Sequence, residues 1–119
     1  MLDKIEEGEI KGFISSITIA ELFCIFARFK DVEFARGIIR HVRISKFKIV
    51  SMDDKMAEIS GEFKFKYTKK EKKGLPIADA LIAATSVVKK AILIAEEEHY
   101  FKIKEIDVKT PAQFLSEKL

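Results

Sequence analysis

The sequence has a single cysteine, Cys24, in 119 residues. That excludes an internal disulfide and any zinc site assembled from several cysteines. Cys24 lies in the apolar run ELFCIF, so it is expected as a small buried core residue rather than a reactive thiol. Asparagine is absent and glutamine occurs once, whereas Lys, Glu and Ile abound. Proteins of hot-growing organisms share this bias. A thermophilic source is therefore a hypothesis, and a melting point in the ordinary mesophile range would count against it. No stretch rich in Pro, Gly or Ser marks a linker, and no segment repeats, so a single domain over residues 1–119 is expected. No apolar run is long enough for a membrane span. The longest candidates, residues 14–29 and 75–88, are both interrupted by polar or charged side chains. The first ten residues, MLDKIEEGEI, are charged and helix-like, unlike a signal peptide. A cytoplasmic protein is the expectation. A net charge of +3 is too mild to point to nucleic acid by itself.

What is present reads as a globular domain. Hydrophobic residues make up 48% and charged residues 34%, which excludes a disordered chain and leaves enough apolar surface for a core. Residues 2–9 read as a short charged helix and residues 12–15 (GFIS) as a strand. Thr18 is expected to open a helix running to about Lys30, because Thr18 and Glu21 have the spacing of a capping box. A second helix begins near Asp31, with Val32, Phe34, Ala35, Ile38, Ile39 and Val42 at helical spacing. Residues 47–51 (FKIVS) are the next strand, and Met52-Asp53-Asp54 caps a long helix through Tyr67. Residues 69–74 form an exposed turn. Pro76 suits the first position of a helix that runs to about Lys89. Residues 91–95 (AILIA) are wholly apolar, as in a strand buried on both faces of a parallel sheet. A short helix through His99 and Phe101, a last strand at residues 106–108 and a helix from Pro111 complete the chain. This alternation predicts an α/β fold with a mostly parallel sheet flanked by helices.

Asp79 is the only charged residue between Leu75 and Val88. An ionised carboxylate buried without a partner costs several kcal/mol. A position in the first helical turn returns only about 0.3–1 kcal/mol through the helix dipole. Asp79 therefore needs a partner, a proton or a cavity, and a functional role is the stronger reading. Spacing alone assigns Glu21 to the capping box, yet it follows a strand's C-terminal end, the edge at which open parallel sheets bind ligands. Glu96-Glu97-Glu98 also follows a strand, although an acidic run is ordinarily a solvated helix start. Carboxylates converging from three segments repel one another unless a cation intervenes. Hard oxygen donors with no His or Cys suit Mg²⁺ or Mn²⁺, and such an ion can activate a water and polarise a phosphodiester. Lys64, Lys66, Lys69, Lys70, Lys72 and Lys73, interleaved with Phe65 and Tyr67, fit either a solvated helix end or a surface tracking a phosphate backbone. His41 and His99 lack ligand spacing, so neither is expected to hold a metal.

These segments together resemble the PIN domain family, to which the VapC-type toxins belong. Ile14-Ser15-Ser16-Ile17-Thr18-Ile19-Ala20-Glu21-Leu22 resembles its Ser-x-Thr strand end and the helix that follows with an acidic ligand. Leu75-Pro76-Ile77-Ala78-Asp79-Ala80-Leu81-Ile82-Ala83-Ala84 resembles its second helical motif. Ile92-Leu93-Ile94-Ala95-Glu96-Glu97-Glu98-His99-Tyr100 resembles a degraded form of its third, which normally ends in Thr-x-Asp before a His-Phe-like pair. Residues 106–114 (IDVKTPAQF) resemble its closing strand and helix. The resemblance implies a three-layer fold and a ribonuclease dependent on Mg²⁺ or Mn²⁺. It places Glu21, Asp79 and Glu97 as catalytic metal ligands, with Glu96 in Glu97's place if the register differs by one. Ser16 and Thr18 would support them, and Lys66, Lys69, Lys70, Lys72 and Lys73 would hold RNA. The implied partners are an RNA substrate, a small antitoxin and a second copy of the chain. The family's first strand and first acidic residue have no match, since only fourteen residues precede Ser15 and they read as helix. That leaves three expectations: neighbouring strands close up, another segment or chain fills the gap, or the sequence given starts downstream. Two rival readings follow, an inactive remnant that serves dimerisation or antitoxin binding, and a basic nucleic-acid-binding protein without catalysis.

Overall fold

The computed structural model describes residues 10–68 and 74–118; the expected helix over residues 2–9 and the turn from Lys69 to Lys73 lie outside them. The chain forms two compact units, Met1–Ser51 and Met52–Leu119. Each contains one pair of parallel strands. The α/β class and the parallel pairing expected from the sequence therefore hold.

In the first unit, β1 (Phe13–Ser15) pairs with β2 (Lys48–Val50), in the register Phe13↔Lys48, Ile14↔Ile49, Ser15↔Val50. Parallel neighbours cannot be joined by a tight turn. The crossover here is a helical hairpin of α1 (Ser16–Phe29) and α2 (Val32–Ile44). Ser15 starts α1: its Oγ accepts a hydrogen bond from the Ile17 N–H at 3.2 Å. This corrects the expected start at Thr18. Thr18 is already the third residue of the helix, and Glu21 lies in its second turn, beyond the reach of a capping box. Asp31 caps α2, accepting from the Phe34 N–H at 2.7 Å. Phe34 sits between Phe26 and Phe29, with ring centroids 5.9 and 6.0 Å away, which fixes the hairpin. Cys24 is exposed, contrary to expectation. Two residues along a helix turn it by about 200°, so Cys24 faces away from the Phe26 contact.

The second unit is built on α3 (Asp54–Thr68) and α4 (Ile77–Lys89). Asp53 caps α3 by accepting from the Met56 N–H at 2.8 Å, as the sequence implied. The core gathers Phe63 and Tyr67 of α3, Leu75, Ala80 and Ala83, and Tyr100 and Ile103 further along. Ala80, Ala83 and Ala84 have no accessible surface, and side chains this small let α3 approach closely. Pro76 stands one residue before α4 and accepts from the Ala80 N–H through its carbonyl, so it is the cap rather than the first helical residue. Lys90 ends α4 in the left-handed region at φ 51°. The chain then enters β3 (Leu93–Ile94), which pairs with β4 (Val108–Lys109). This ladder is shorter than the expected five-residue strand, and Ile92 is exposed, so burial on both faces is not realised. α5 (Glu98–Phe101) follows β3, and α6 (Pro111–Lys118) follows β4. α6 carries a reciprocal capping box. Thr110 Oγ1 accepts from the Gln113 N–H at 3.1 Å, and Gln113 Oε1 accepts from the Thr110 N–H at 2.9 Å.

Tyr67 ties α3 to the segment before β4. Its hydroxyl donates to Glu105 Oε1 at 2.5 Å and accepts from the Lys104 N–H at 3.0 Å. Lys66 Nζ meets Glu105 Oε2 at 2.9 Å. Burial pushes the Glu105 carboxyl up, but the hydrogen bonds from Tyr67 and Lys66, with the nearby Lys66 charge, outweigh it and leave the group below its ordinary value. Tyr67→Phe is expected to cost about 1–2 kcal/mol, read by urea denaturation at pH 7, because the Glu105 carboxylate and the Lys104 N–H both lose a partner. A depressed carboxylate contributes stability that is present above its unfolded pKa and lost as pH falls through the folded one. The wild-type advantage over Glu105→Gln should therefore be full at neutral pH and shrink as pH falls below the ordinary glutamate value of 4.5. An advantage that grows towards acid would contradict the assignment.

Candidate metal centre

The second unit places its acidic candidates at the C-terminal ends of β3 and near the start of α4. Asp79 lies in the first turn of α4, with its side chain 18% exposed. The helix could hold it there because Pro76 and Ile77 begin a regular first turn and the small residues Ala80, Ala83 and Ala84 behind it settle into the core. The partner demanded by the burial argument is His99. Its Nε2 lies 2.6 Å from Asp79 Oδ2, and the imidazole is 25% exposed. His99 stands on α5 beside Tyr100, whose ring is buried in the core 4.7 Å away. The His99 Nε2 atom is itself buried and makes no aligned hydrogen bond. Nitrogen and oxygen are close enough for an ion pair, but the ring N–H direction does not meet the carboxylate. The contact is accordingly one of distance rather than of a formed hydrogen bond.

Glu96 and Glu97 follow β3 and are exposed. Glu97 is the residue before α5, and its side chain makes no capping bond. Within this unit, among the described residues, no three His, Cys, Asp or Glu side chains gather closely enough to hold a cation. The structure brings Asp79 together with His99 and does not add Glu97 or Glu96 to that pair. Glu21, Ser16 and Thr18 belong to the first unit. There Ser16 is the first residue of α1 and Glu21 is exposed on that helix, just past the C-terminal end of β1. His99 is the residue that spacing failed to find. It lies twenty positions from Asp79, and its signal was the His-Tyr pair after the third motif.

The proposed basic surface is reduced. Tyr67 is buried and its hydroxyl is engaged, so it cannot stack on a base. Lys66 is held by Glu105, and Lys64 Nζ donates to the Leu75 carbonyl at 2.9 Å. Phe65 remains exposed. Lys69, Lys70, Lys72 and Lys73 lie outside the described residues.

Residues 2–106 match the family model of the PIN domain. The chain belongs to the PIN domain family. That match runs through both compact units. This PIN domain also superposes on chains of three solved structures. These are VapBC2 from Rickettsia felis bound to a DNA fragment from their promoter, DNA-bound VapBC from Salmonella typhimurium, and VapBC-1 from nontypeable Haemophilus influenzae. The TM-score is 0.69 in each case, at 22%, 19% and 18% identity respectively. The alignments cover 84%, 82% and 90% of this PIN domain, and 74%, 74% and 84% of the matched chains. At such identities the likeness concerns the fold. No curated protein sequence matches. Among the described residues, no helix is long and apolar enough to cross a membrane.

Proposed function

We propose that this PIN domain is a metal-dependent endoribonuclease of the VapC toxin type, hydrolysing RNA phosphodiesters. The observation that carries the reading is Asp79: a largely buried carboxylate on an otherwise uncharged helix segment, facing a buried ring nitrogen that makes no aligned hydrogen bond. A carboxylate–imidazole pair at the start of an otherwise apolar helix supports a functional role over a packing one. Asp79, Glu21 and Glu97 are the residues that would hold Mg²⁺ or Mn²⁺, with Glu96 replacing Glu97 in a shifted register. When bound, such an ion lowers the pKa of a water and offsets charge on the phosphoryl oxygens. Asp79 supplies a fixed oxygen from a rigid helix, and Glu97 supplies an adaptable one from the β3–α5 loop. Glu21 lies in the second turn of α1 and is exposed, past the C-terminal end of β1. Ser16 and Thr18 would orient a carboxylate or a phosphate, and Lys66, Lys69, Lys70, Lys72 and Lys73 would contribute to the RNA path. A cytoplasmic location, a small antitoxin and a second copy of the chain complete the proposal; the antitoxin is supported by the VapBC composition of the structures with this fold.

One observation favours the second reading, an inactive module that associates with an antitoxin or with itself. α1 is apolar along most of its length, yet none of its residues is buried, and Ile25 and Phe29 are 57% and 78% exposed. A surface of this kind is ordinarily covered by a partner. The two readings separate in one assay. The purified chain is incubated with a structured RNA in millimolar Mn²⁺, in Mg²⁺ and in chelator. Cleavage that requires the metal supports the nuclease; intact RNA under all three conditions, from a folded chain, supports the module.

A further inference from the structure

We propose that α2 carries a surface that holds the RNA, an arginine stripe that grips phosphates along the backbone and reads neither base nor sugar. The proposal rests on the nuclease reading above and adds to it a binding surface formed by residues of the first unit alone. None of them is among the lysines assigned to the RNA path above.

Between Phe34 and Met52 the sequence holds five Lys and Arg residues and no Asp or Glu. This one segment therefore carries more positive charge than the net +3 of the whole chain. A mild total hides a concentrated patch, and the patch is what a polyanion meets. Arg36, Arg40 and Arg43 stand at i, i+4 and i+7 on α2. That spacing puts them within an arc of about 60° and along about 10 Å of the helix axis. The buried residues of the helix, Ala35 and Ile39, lie outside that arc. All three arginines, with Lys46 and Lys48 after the helix, are exposed. Arg36 pairs with Glu33, but both side chains are more than half exposed, and such pairs are weak. Among the described residues, Arg40, Arg43, Lys46 and Lys48 make no ion pair. An Arg40 Nη2 lies 3.8 Å from where a Cβ on Gly37 would stand, so this guanidinium runs back along the helix towards the Arg36 end.

Structural explanations fall short of the stripe. The C-terminal end of a helix favours cations, which accounts for Arg43 in the last turn. Arg36 and Arg40 stand earlier, and Lys46 and Lys48 follow the helix. A solvated helix face ordinarily mixes both signs. α3 does so, with Asp54, Lys55, Glu58 and Glu62 all exposed on it. Like charges one turn apart repel, so α2 is less stable for keeping them. A nucleic-acid backbone offsets that repulsion, because its phosphates neutralise a row of cations and release condensed counterions. Guanidinium groups match phosphate oxygens two at a time. The arc holds no aromatic ring to stack on a base and no Asn or Gln to pair with one. A protein partner binds through clustered apolar anchors as well as charge. The exposed apolar residues of α2, Val32 and Ile44, stand singly at opposite ends of the helix.

The test measures binding by the whole chain in chelator, where metal-dependent cleavage cannot run. A short fluorescent single-stranded RNA is followed by anisotropy. Wild-type affinity should fall as salt rises, with a logarithmic slope of about −2 or steeper for three or more phosphates on a single strand. Arg40→Gln combined with Arg43→Gln should flatten that slope by about 1.4 and weaken binding about tenfold at low salt, equally on oligo(A) and oligo(U). Arg40→Lys combined with Arg43→Lys keeps both charges and should hold affinity within about threefold, which separates lost charge from a damaged helix. A DNA strand of the same sequence should bind within about threefold, since only phosphates are gripped. A preference above about tenfold for one sequence or one sugar would overturn the backbone assignment. Lys55→Gln combined with Lys89→Gln removes the same charge from exposed positions of the second unit and should leave binding within about twofold. An equal loss in that control would mean that net charge alone draws the RNA, and the stripe would fall. It would fall as well if a fluorescent polyglutamate peptide bound as tightly as RNA and was lost in the same arginine variant, because the surface would then serve an acidic protein segment. Binding that depends on the arginines, with no cleavage in any metal, would keep the stripe and remove the nuclease reading. Metal-dependent cleavage with KM unchanged in the arginine variant would keep the nuclease and remove the stripe.

Discussion

Asp79→Asn should abolish metal-dependent cleavage of RNA, lowering the single-turnover rate by about 10²–10³-fold or more at a fixed Mn²⁺ concentration. The substitution is close to isosteric, so it tests charge and donor strength rather than shape. Asp79 supplies the one full negative charge on a helix segment that is otherwise apolar, and its first-turn position is compatible with either residue. Loss of the favourable dipole interaction costs at most about 1 kcal/mol, which a folded chain tolerates. Removal of an anionic donor from a cation site is a far larger change, because a divalent ion bound by few charged oxygens loses one of them. The same variant gives a second readout that requires no substrate. An ion bound only by the folded state at about 100 times its dissociation constant adds roughly 2.7 kcal/mol, which raises the melting temperature visibly. That rise should appear in wild type and vanish in Asp79→Asn. Retained cleavage in the variant would remove Asp79 from the site. Retained cleavage together with an unchanged metal-induced rise would also move the metal site elsewhere in the molecule.

How far the sequence could be read differs between the two levels of structure. Helices were legible where one face must be apolar and the cap is short-range. Asp31 and Asp53 cap α2 and α3 as their spacing implied, because a cap needs only a side chain three residues from its donor. The same local rule misassigned α1. Thr18 and Glu21 have capping-box spacing, but Ser15 reaches the Ile17 N–H first, at the point where β1 ends. The capping box that does form, Thr110 with Gln113, has the same pattern and differs in that Pro111 fixes the first helical residue between them. Strands were legible as apolar runs, but their extent was not. AILIA contributes only Leu93 and Ile94 to a ladder, since strand length is set by the partner, and β4 offers two residues. The candidate site was legible in one respect, that Asp79 must have a partner. The partner's identity was not, because His99 is brought to it by the packing of Tyr100 into the core, a contact between segments that spacing along the chain does not encode.

Leu75→Ala should produce the largest loss of stability of any single truncation in the second unit. Leu75 is 1% exposed and belongs to the core cluster with Phe63, Tyr67, Ala80, Ala83, Tyr100 and Ile103. Several of its neighbours are alanines on a helix or large rings, and neither can swing inward to fill the space left by a lost isobutyl group. In such a setting the transfer loss and the cavity loss add, giving about 3–5 kcal/mol. For a chain of this length that corresponds to a fall in melting temperature of roughly 10–20 °C. Leu75→Met is the control: it conserves volume with an adaptable side chain and should cost less than about 1.5 kcal/mol. The position matters for the site as well as for the core. Leu75 immediately precedes the cap of α4, and its carbonyl accepts from Lys64 Nζ, so the same few residues seat the helix that carries Asp79. A weakened seat should lower Mn²⁺ affinity in Leu75→Ala at temperatures where the variant is still folded, while Leu75→Met retains it. A loss below about 1 kcal/mol in Leu75→Ala would mean that the core around α4 repacks freely. Asp79 would then not be held rigidly by the packing of α4.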